Sequence, residues 1–232
     1  MSNQKKNKES GGIDAFFCKV IVTVSIAAAA LFLVCVVLSY ATKHLNNQDT
    51  MAVRVAMEQP DIEEMYLTPN KYSRPGKSLD KVNGVVVHYT ANPGSSAKEN
   101  RNYFEGLRKK GTRYASSHFV VGLEGEIIQC VPLNEIAYAS NKRNDDTISI
   151  EVCHPDSSGK FNETSYESLV ELVAWLCNEY GLEKDDIIRH YDVTGKMCPK
   201  YYVKHPKLWK QFKNDVFKYL DEQKNKVEAI EE

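Results

Sequence analysis

The sequence predicts an α/β (α+β) domain, a mixed central β-sheet flanked by helices, preceded by one N-terminal transmembrane helix. Three patterns carry that expectation. An apolar run without charge fills residues 20–42. Strand-like segments recur at 84–90, 117–131 and 147–153. Amphipathic helical segments follow over 164–181 and from Pro206 onward. Strands and helices alternate without a strict βαβ repeat, which favours a mixed sheet over a purely parallel one.

Residues 1–14 are polar and hold Lys5, Lys6 and Lys8. The run over 15–42 then begins, and from Val20 to Leu38 twelve of nineteen residues are Val, Ile, Leu or Phe. Those side chains alone favour the membrane by roughly 4–7 kcal/mol. The stretch is long enough to cross a ~30 Å hydrocarbon core as a helix. Only Lys43 and Arg54 follow closely, so the positive-inside rule makes 1–14 a cytoplasmic tail and puts the remainder outside. A cleaved signal peptide is the alternative, because Ser39-Tyr40-Ala41 resembles a small-residue cleavage site. The apolar core exceeds the usual length of such a peptide, and this favours the anchor.

Residues 43–65 are polar and aperiodic, which fits a linker. Tyr72-Ser73-Arg74-Pro75-Gly76 is a turn signal. Val85-Val86-Val87-His88-Tyr89-Thr90 is a β-branched run of the kind found in central strands, ended by Asn92-Pro93-Gly94. Residues 97–109 read as helix, with Tyr103, Phe104 and Leu107 apolar. Ser117–Gly122 and Glu126–Val131 read as a hairpin around Glu124-Gly125. Thr147–Cys153 alternates, with Ile148, Ile150 and Val152 on one face and Ser149, Glu151 and Cys153 on the other.

Thr164 and Glu167 match a capping box ahead of Leu169, Leu172, Val173, Leu176 and Tyr180, and Gly181 ends that helix. Ile187-Ile188 reads as a short strand leading into His190. Pro206 opens a last helix with Trp209, Phe212, Val216 and Leu220 on one face. The globular part therefore spans 66–222, and 223–232 is a charged, frayed tail.

Composition narrows the function classes. Net charge is -1, so no bulk electrostatic signal for nucleic acid exists. The six cysteines show no paired spacing, which argues against a disulfide framework and leaves thiols free for other chemistry. His190, Lys196 and Cys198 crowd into one loop. Imidazole and thiolate are preferred zinc ligands, and a nearby cation and a metal favour the thiolate.

A third ligand must come from elsewhere. His88, His118 and His154 each sit at a strand or strand edge, and spacing does not rank them. Glu151, opposite the apolar face of its strand, is placed to take a proton from water. Lys196 is placed to stabilise an oxyanion. Cys130, Cys153 and Cys177 read as small buried apolar residues.

Four segments together resemble the zinc N-acetylmuramoyl-L-alanine amidases of type 2. They are the strand ending in His88, Ser117-His118-Phe119 before a hairpin, Ile148-Ser149-Ile150-Glu151-Val152, and His190 with Lys196 and Cys198. That superfamily includes phage lysins, bacterial autolysins and peptidoglycan recognition proteins. The likeness covers roughly residues 66–200, and the 72–76 and 151–154 stretches resemble the phage and Gram-positive branch.

The resemblance implies that His88, His190 and Cys198 bind Zn2+, that Glu151 acts on the zinc water, and that Lys196 holds the scissile carbonyl. It implies peptidoglycan as substrate and contacts from Tyr89, Asn92 and Ser117. Ser117 stands where some members have a catalytic tyrosine, and Ser149 where some have glycine. The first departure moves weight onto Glu151. Cys198 favours an enzyme, because the non-catalytic recognition proteins typically lack that ligand. The alternatives are a peptidoglycan-binding module without hydrolysis and a structural zinc site closed by Cys153.

Overall fold

A computed structural model describes residues 57–231, together with Phe32, Val34, Val36 and Val37. Those four are helical and exposed. The rest of the expected tail, of the anchor over 15–42 and of the linker up to residue 56 lies outside the described residues. Among the described residues no helix is long and apolar enough to cross a membrane. The unit running from Arg54 to Glu232 carries the fold.

Its sheet comprises β1 (Ile62–Glu64), β2 (Val85–Tyr89), β3 (Phe119–Val121), β4 (Ile127–Gln129), β5 (Ile148–Val152) and β6 (Ile187–Arg189). The order across the sheet is β1-β4-β3-β5-β2-β6. The hairpin β3–β4 is antiparallel, and every other pairing is parallel. Gly84 opens β2 where a Cβ would lie 2.7 Å from the Asp186 carbonyl oxygen, a closeness only glycine allows.

Strand alternation assigns the two faces. Val85, Val87, Phe119, Val121, Ile148, Ile150 and Val152 point into one core, beneath α2 (Glu163–Tyr180) and α5 (Pro206–Glu231). Val120, Ile128 and Cys153 point the other way, against Phe104 and Leu107 of α1 (Ala97–Lys110). Two short helices, α3 (His190–Thr194) and α4 (Lys200–Lys204), join β6 to α5. The apolar stripe of α5 is the one its spacing predicts: Trp209, Phe212, Val216 and Leu220 are all buried. Burial of that kind contributes at most about 1.5–3 kcal/mol per side chain.

Three boundaries differ from expectation. The linker gives up its last residues to β1, a three-residue edge strand registered as Ile62↔Ile127 to Glu64↔Gln129. Its two glutamates hide the strand in the sequence and suit an exposed edge. The cap of α2 is Asn162, not Thr164: Asn162 Oδ1 accepts from Ser165 N at 2.8 Å. The expected charged tail continues as helix to Glu231, because that stretch contains no Gly or Pro to stop it.

Candidate metal centre and cleft

The sheet brings two chemical side chains together by register. His88 on β2 stands directly beside Glu151 on β5. Both lie near the C-terminal ends of parallel strands, on the face opposite the main core, where open α/β sheets form their crevices.

His190 arrives from the next strand. β6 ends at Arg189, which pairs with Asp192 at 2.7 Å and donates to the Tyr202 carbonyl at 3.1 Å. That clamp starts α3 with His190 as its first residue. Gly195 then turns the chain in the left-handed region, φ 78°. The loop folds back so that Tyr191 N–H donates to the Cys198 carbonyl at 2.9 Å, which sets Cys198 beside the histidines.

Among the described residues, His88, His190 and Cys198 converge with all three ligand atoms within 4.8 Å of one another. The two imidazoles meet edge-on, centroids 4.6 Å apart, and His88 Nδ1 is 3.8 Å from Cys198 Sγ. The edge of a tetrahedral site with Zn–S of ~2.3 Å and Zn–N of ~2.0 Å is about 3.5 Å. His190 Nδ1 is buried with no hydrogen-bond partner. Its other nitrogen is engaged, since Nε2 lies 3.0 Å from Asn141 Oδ1. His88 Nε2 likewise lies 3.2 Å from Ser140 Oγ. Two outward nitrogens are fixed, and two inward ones are left with a thiol.

The electrostatics match. Burial, with the neighbouring His190 and Lys196, holds His88 well below the usual imidazole range. Burial and Lys196 lower His190 as well. Both rings are neutral and offer lone pairs. Burial pushes the Cys198 thiol up to about 12, despite the opposing pull of Lys196. The lysine alone therefore does not make the thiolate; a cation among the three ligands is the charge that would. Burial also pushes Glu151 up to about 8, and its Oε2 is buried without a partner.

Above these groups lies a cleft of about 940 Å³. His88, Glu151, His190, Lys196 and Cys198 line it, and so does Tyr89. The remaining candidates stand elsewhere. His118 is a cross-brace: Nδ1 accepts from Ser149 N at 3.0 Å and Nε2 donates to the Glu135 carbonyl at 2.9 Å. His154 donates through Nδ1 to the Asp156 carbonyl at 2.7 Å and packs on Tyr89. Cys153 Sγ accepts from Asn100 Nδ2 at 3.5 Å, outside the ligand group.

Ser117 is fully buried, its hydroxyl held by the Phe119 and Ser149 carbonyls, so the expected substrate contact is replaced by a strand-to-strand tie. Asn92 does not line the cleft; its carbonyl accepts from Ser95 in the turn before α1. Residues absent from the sequence-based expectation complete the walls: Tyr103, Arg113, Tyr114, Tyr138 and Asn141. They lie in α1 and in loops where no motif marks them.

Comparison with known proteins gives the family. The family described as N-acetylmuramoyl-L-alanine amidase matches residues 78–201. A probable N-acetylmuramoyl-L-alanine amidase of Bacillus licheniformis is 39% identical over 151 residues, covering 60% of this chain and 42% of that protein. The N-acetylmuramoyl-L-alanine amidase BlyA of Bacillus subtilis (strain 168) is 37% identical over 172 residues, covering 65% of this chain and 45% of that protein. The chain thus spans less than half the length of these curated relatives. Among solved structures, PlyL superposes with TM-score 0.58 and 25% identity, over 67% of this chain and 96% of that one. The catalytic domain of XlyA does so with TM-score 0.57 and 25% identity, over 67% and 99%.

Proposed function

We propose, since the chain belongs to the N-acetylmuramoyl-L-alanine amidase family, that it hydrolyses the amide between N-acetylmuramic acid and the first L-alanine of a peptidoglycan stem peptide. The observation that carries the proposal is the convergence of His88, His190 and Cys198 beside Glu151 at the floor of one cleft. The cleft is of a size that holds a saccharide with an attached peptide.

Two neutral imidazoles and a thiol form a donor set that suits zinc, and His88, His190 and Cys198 would hold it. A zinc ion held there would supply Lewis-acid chemistry, activating water and polarising a carbonyl oxygen. Glu151 moves the proton: its carboxylate takes it from the attacking water and returns it to the leaving amine nitrogen. Burial raises the Glu151 carboxyl above its ordinary value, and a cation held by the neighbouring His88 would lower it again, toward the carboxylate that accepts a proton. Lys196, on the same cleft wall, faces the negative charge that grows on the scissile carbonyl oxygen.

The test is turnover of a muramoyl-peptide by the purified full chain, with metal content measured alongside. Chelation should abolish turnover, and added zinc should restore it. Glu151→Gln should retain metal and lose about 10²–10⁴ in turnover. Near wild-type turnover in that variant would remove Glu151 from the mechanism.

The run over 15–42 is read as a single membrane anchor with the amidase domain outside. Its support is the uncharged stretch between Lys19 and Lys43 and the lysines before it. The full-length chain should resist alkaline extraction from membranes. A mature N-terminus near Thr42 would replace the anchor with a cleaved signal peptide.

A further inference from the structure

The geometry points to the Ser140–Asn141 pair as a yoke that positions both imidazoles of the metal centre. The inference rests on the reading of His88, His190 and Cys198 as metal ligands. His88 and His190 come from different elements, β2 and α3, yet consecutive residues of one loop meet their outer nitrogens. Ser140 Oγ is 3.2 Å from His88 Nε2, and Asn141 Oδ1 is 3.0 Å from His190 Nε2.

An amide oxygen only accepts, so His190 carries its proton on Nε2 and keeps the Nδ1 lone pair for the buried, unpartnered side. Without that acceptor the ring is free to change tautomer or to rotate. Asn141 holds its own backbone in the left-handed region, φ 53°, which asparagine tolerates better than most residues. The loop is braced from behind. Asn144 Oδ1 accepts from Ser140 N at 2.6 Å and from Ala139 N at 3.1 Å. Arg143 pairs with Asp146 at 2.7 Å, and the Thr147 hydroxyl donates to the Arg143 carbonyl at 2.5 Å. Asn141 and Ser140 are positioning residues: they act on the metal through the two rings.

The test is a zinc titration of the purified full chain against a chromophoric chelator, repeated with cobalt(II) to read its visible absorption. Asn141→Gly removes the acceptor and at the same time relaxes the positive φ, so backbone strain cannot account for a loss. It should weaken zinc binding about 10–100-fold and alter the cobalt spectrum. Asn141→Asp keeps an acceptor oxygen in place and should bind as tightly as wild type or tighter. Ser140→Ala should weaken binding through His88. If Asn141→Gly binds like wild type, or Asn141→Asp binds as weakly as Asn141→Gly, the yoke is overturned. A wild-type chain that binds no zinc would overturn the metal reading, and the yoke with it.

Discussion

His118 and His190 are both buried imidazoles, and what separates them is the use of their nitrogens. His118 spends both on the Ser149 amide and the Glu135 carbonyl, whereas His190 spends one and leaves Nδ1 open. Burial pulls His118 down to about 4, against the opposing influence of Glu135. Its folded pKa lies below the unfolded value near 6.5, so the unfolded chain binds the extra proton between those values. Stability from this residue is therefore full above about pH 6.5 and is lost as pH falls through 4. The loss amounts to a few kcal/mol, from about 1.4 per pKa unit. Urea unfolding at pH 4 and pH 7, with chelator present, should show it. His118→Gln should flatten the dependence, and an unchanged slope in that variant would refute the assignment. Spacing places His88, His118 and His154 alike at strand edges. His118 is set apart because both its nitrogens are engaged. His154, whose Nε2 is also unpartnered, is set apart because it lies outside the group formed by His88, His190 and Cys198. Ser117 was hidden for the same reason, since nothing local shows that its hydroxyl is already taken by two carbonyls.

At the level of elements, what was legible followed the strength of the periodic signal. The β-branched run of β2 gave its type, and the alternation of β5 and the apolar stripes of α2 and α5 gave both type and buried face. The three-residue β1 escaped because two of its residues are glutamates and its pairing with β4 is a tertiary fact. The start of α2 was misread because Thr164 and Glu167 match a capping box while Asn162, two residues earlier, is the better acceptor. Asn162 does double duty: its Nδ2 also donates to the Leu123 carbonyl at 2.8 Å and ties the β3–β4 hairpin to the helix. Asn162→Ala should lower the unfolding free energy by about 1–2 kcal/mol, read as a lower urea midpoint at unchanged slope. Thr164→Ala should cost less. The reverse order would restore the capping box at Thr164.

On the scale of the molecule, the centre is assembled from segments that the chain keeps far apart: Cys198 and His88 are 110 residues apart. Parallel pairing of β5 and β6 with β2 brings those segments to one edge of the crevice. The identities of the chemical residues could be read from the chain, but their convergence could not, because pattern alone does not set strand order. The Ser140–Asn141 brace and the Tyr103, Arg113 and Tyr114 wall were invisible for the same reason: they become neighbours of the site only once the sheet has formed.

The central claim is the bond that is cut, and mass analysis of digested cell wall reads it directly. Purified peptidoglycan treated with the full chain should release stem peptides with a free N-terminal L-alanine and leave glycan strands whose muramic acids bear free lactyl carboxyls. Both products should vanish on chelation. Intact stem-linked glycan after digestion, or fragments cut within the peptide or the glycan, would contradict the assignment.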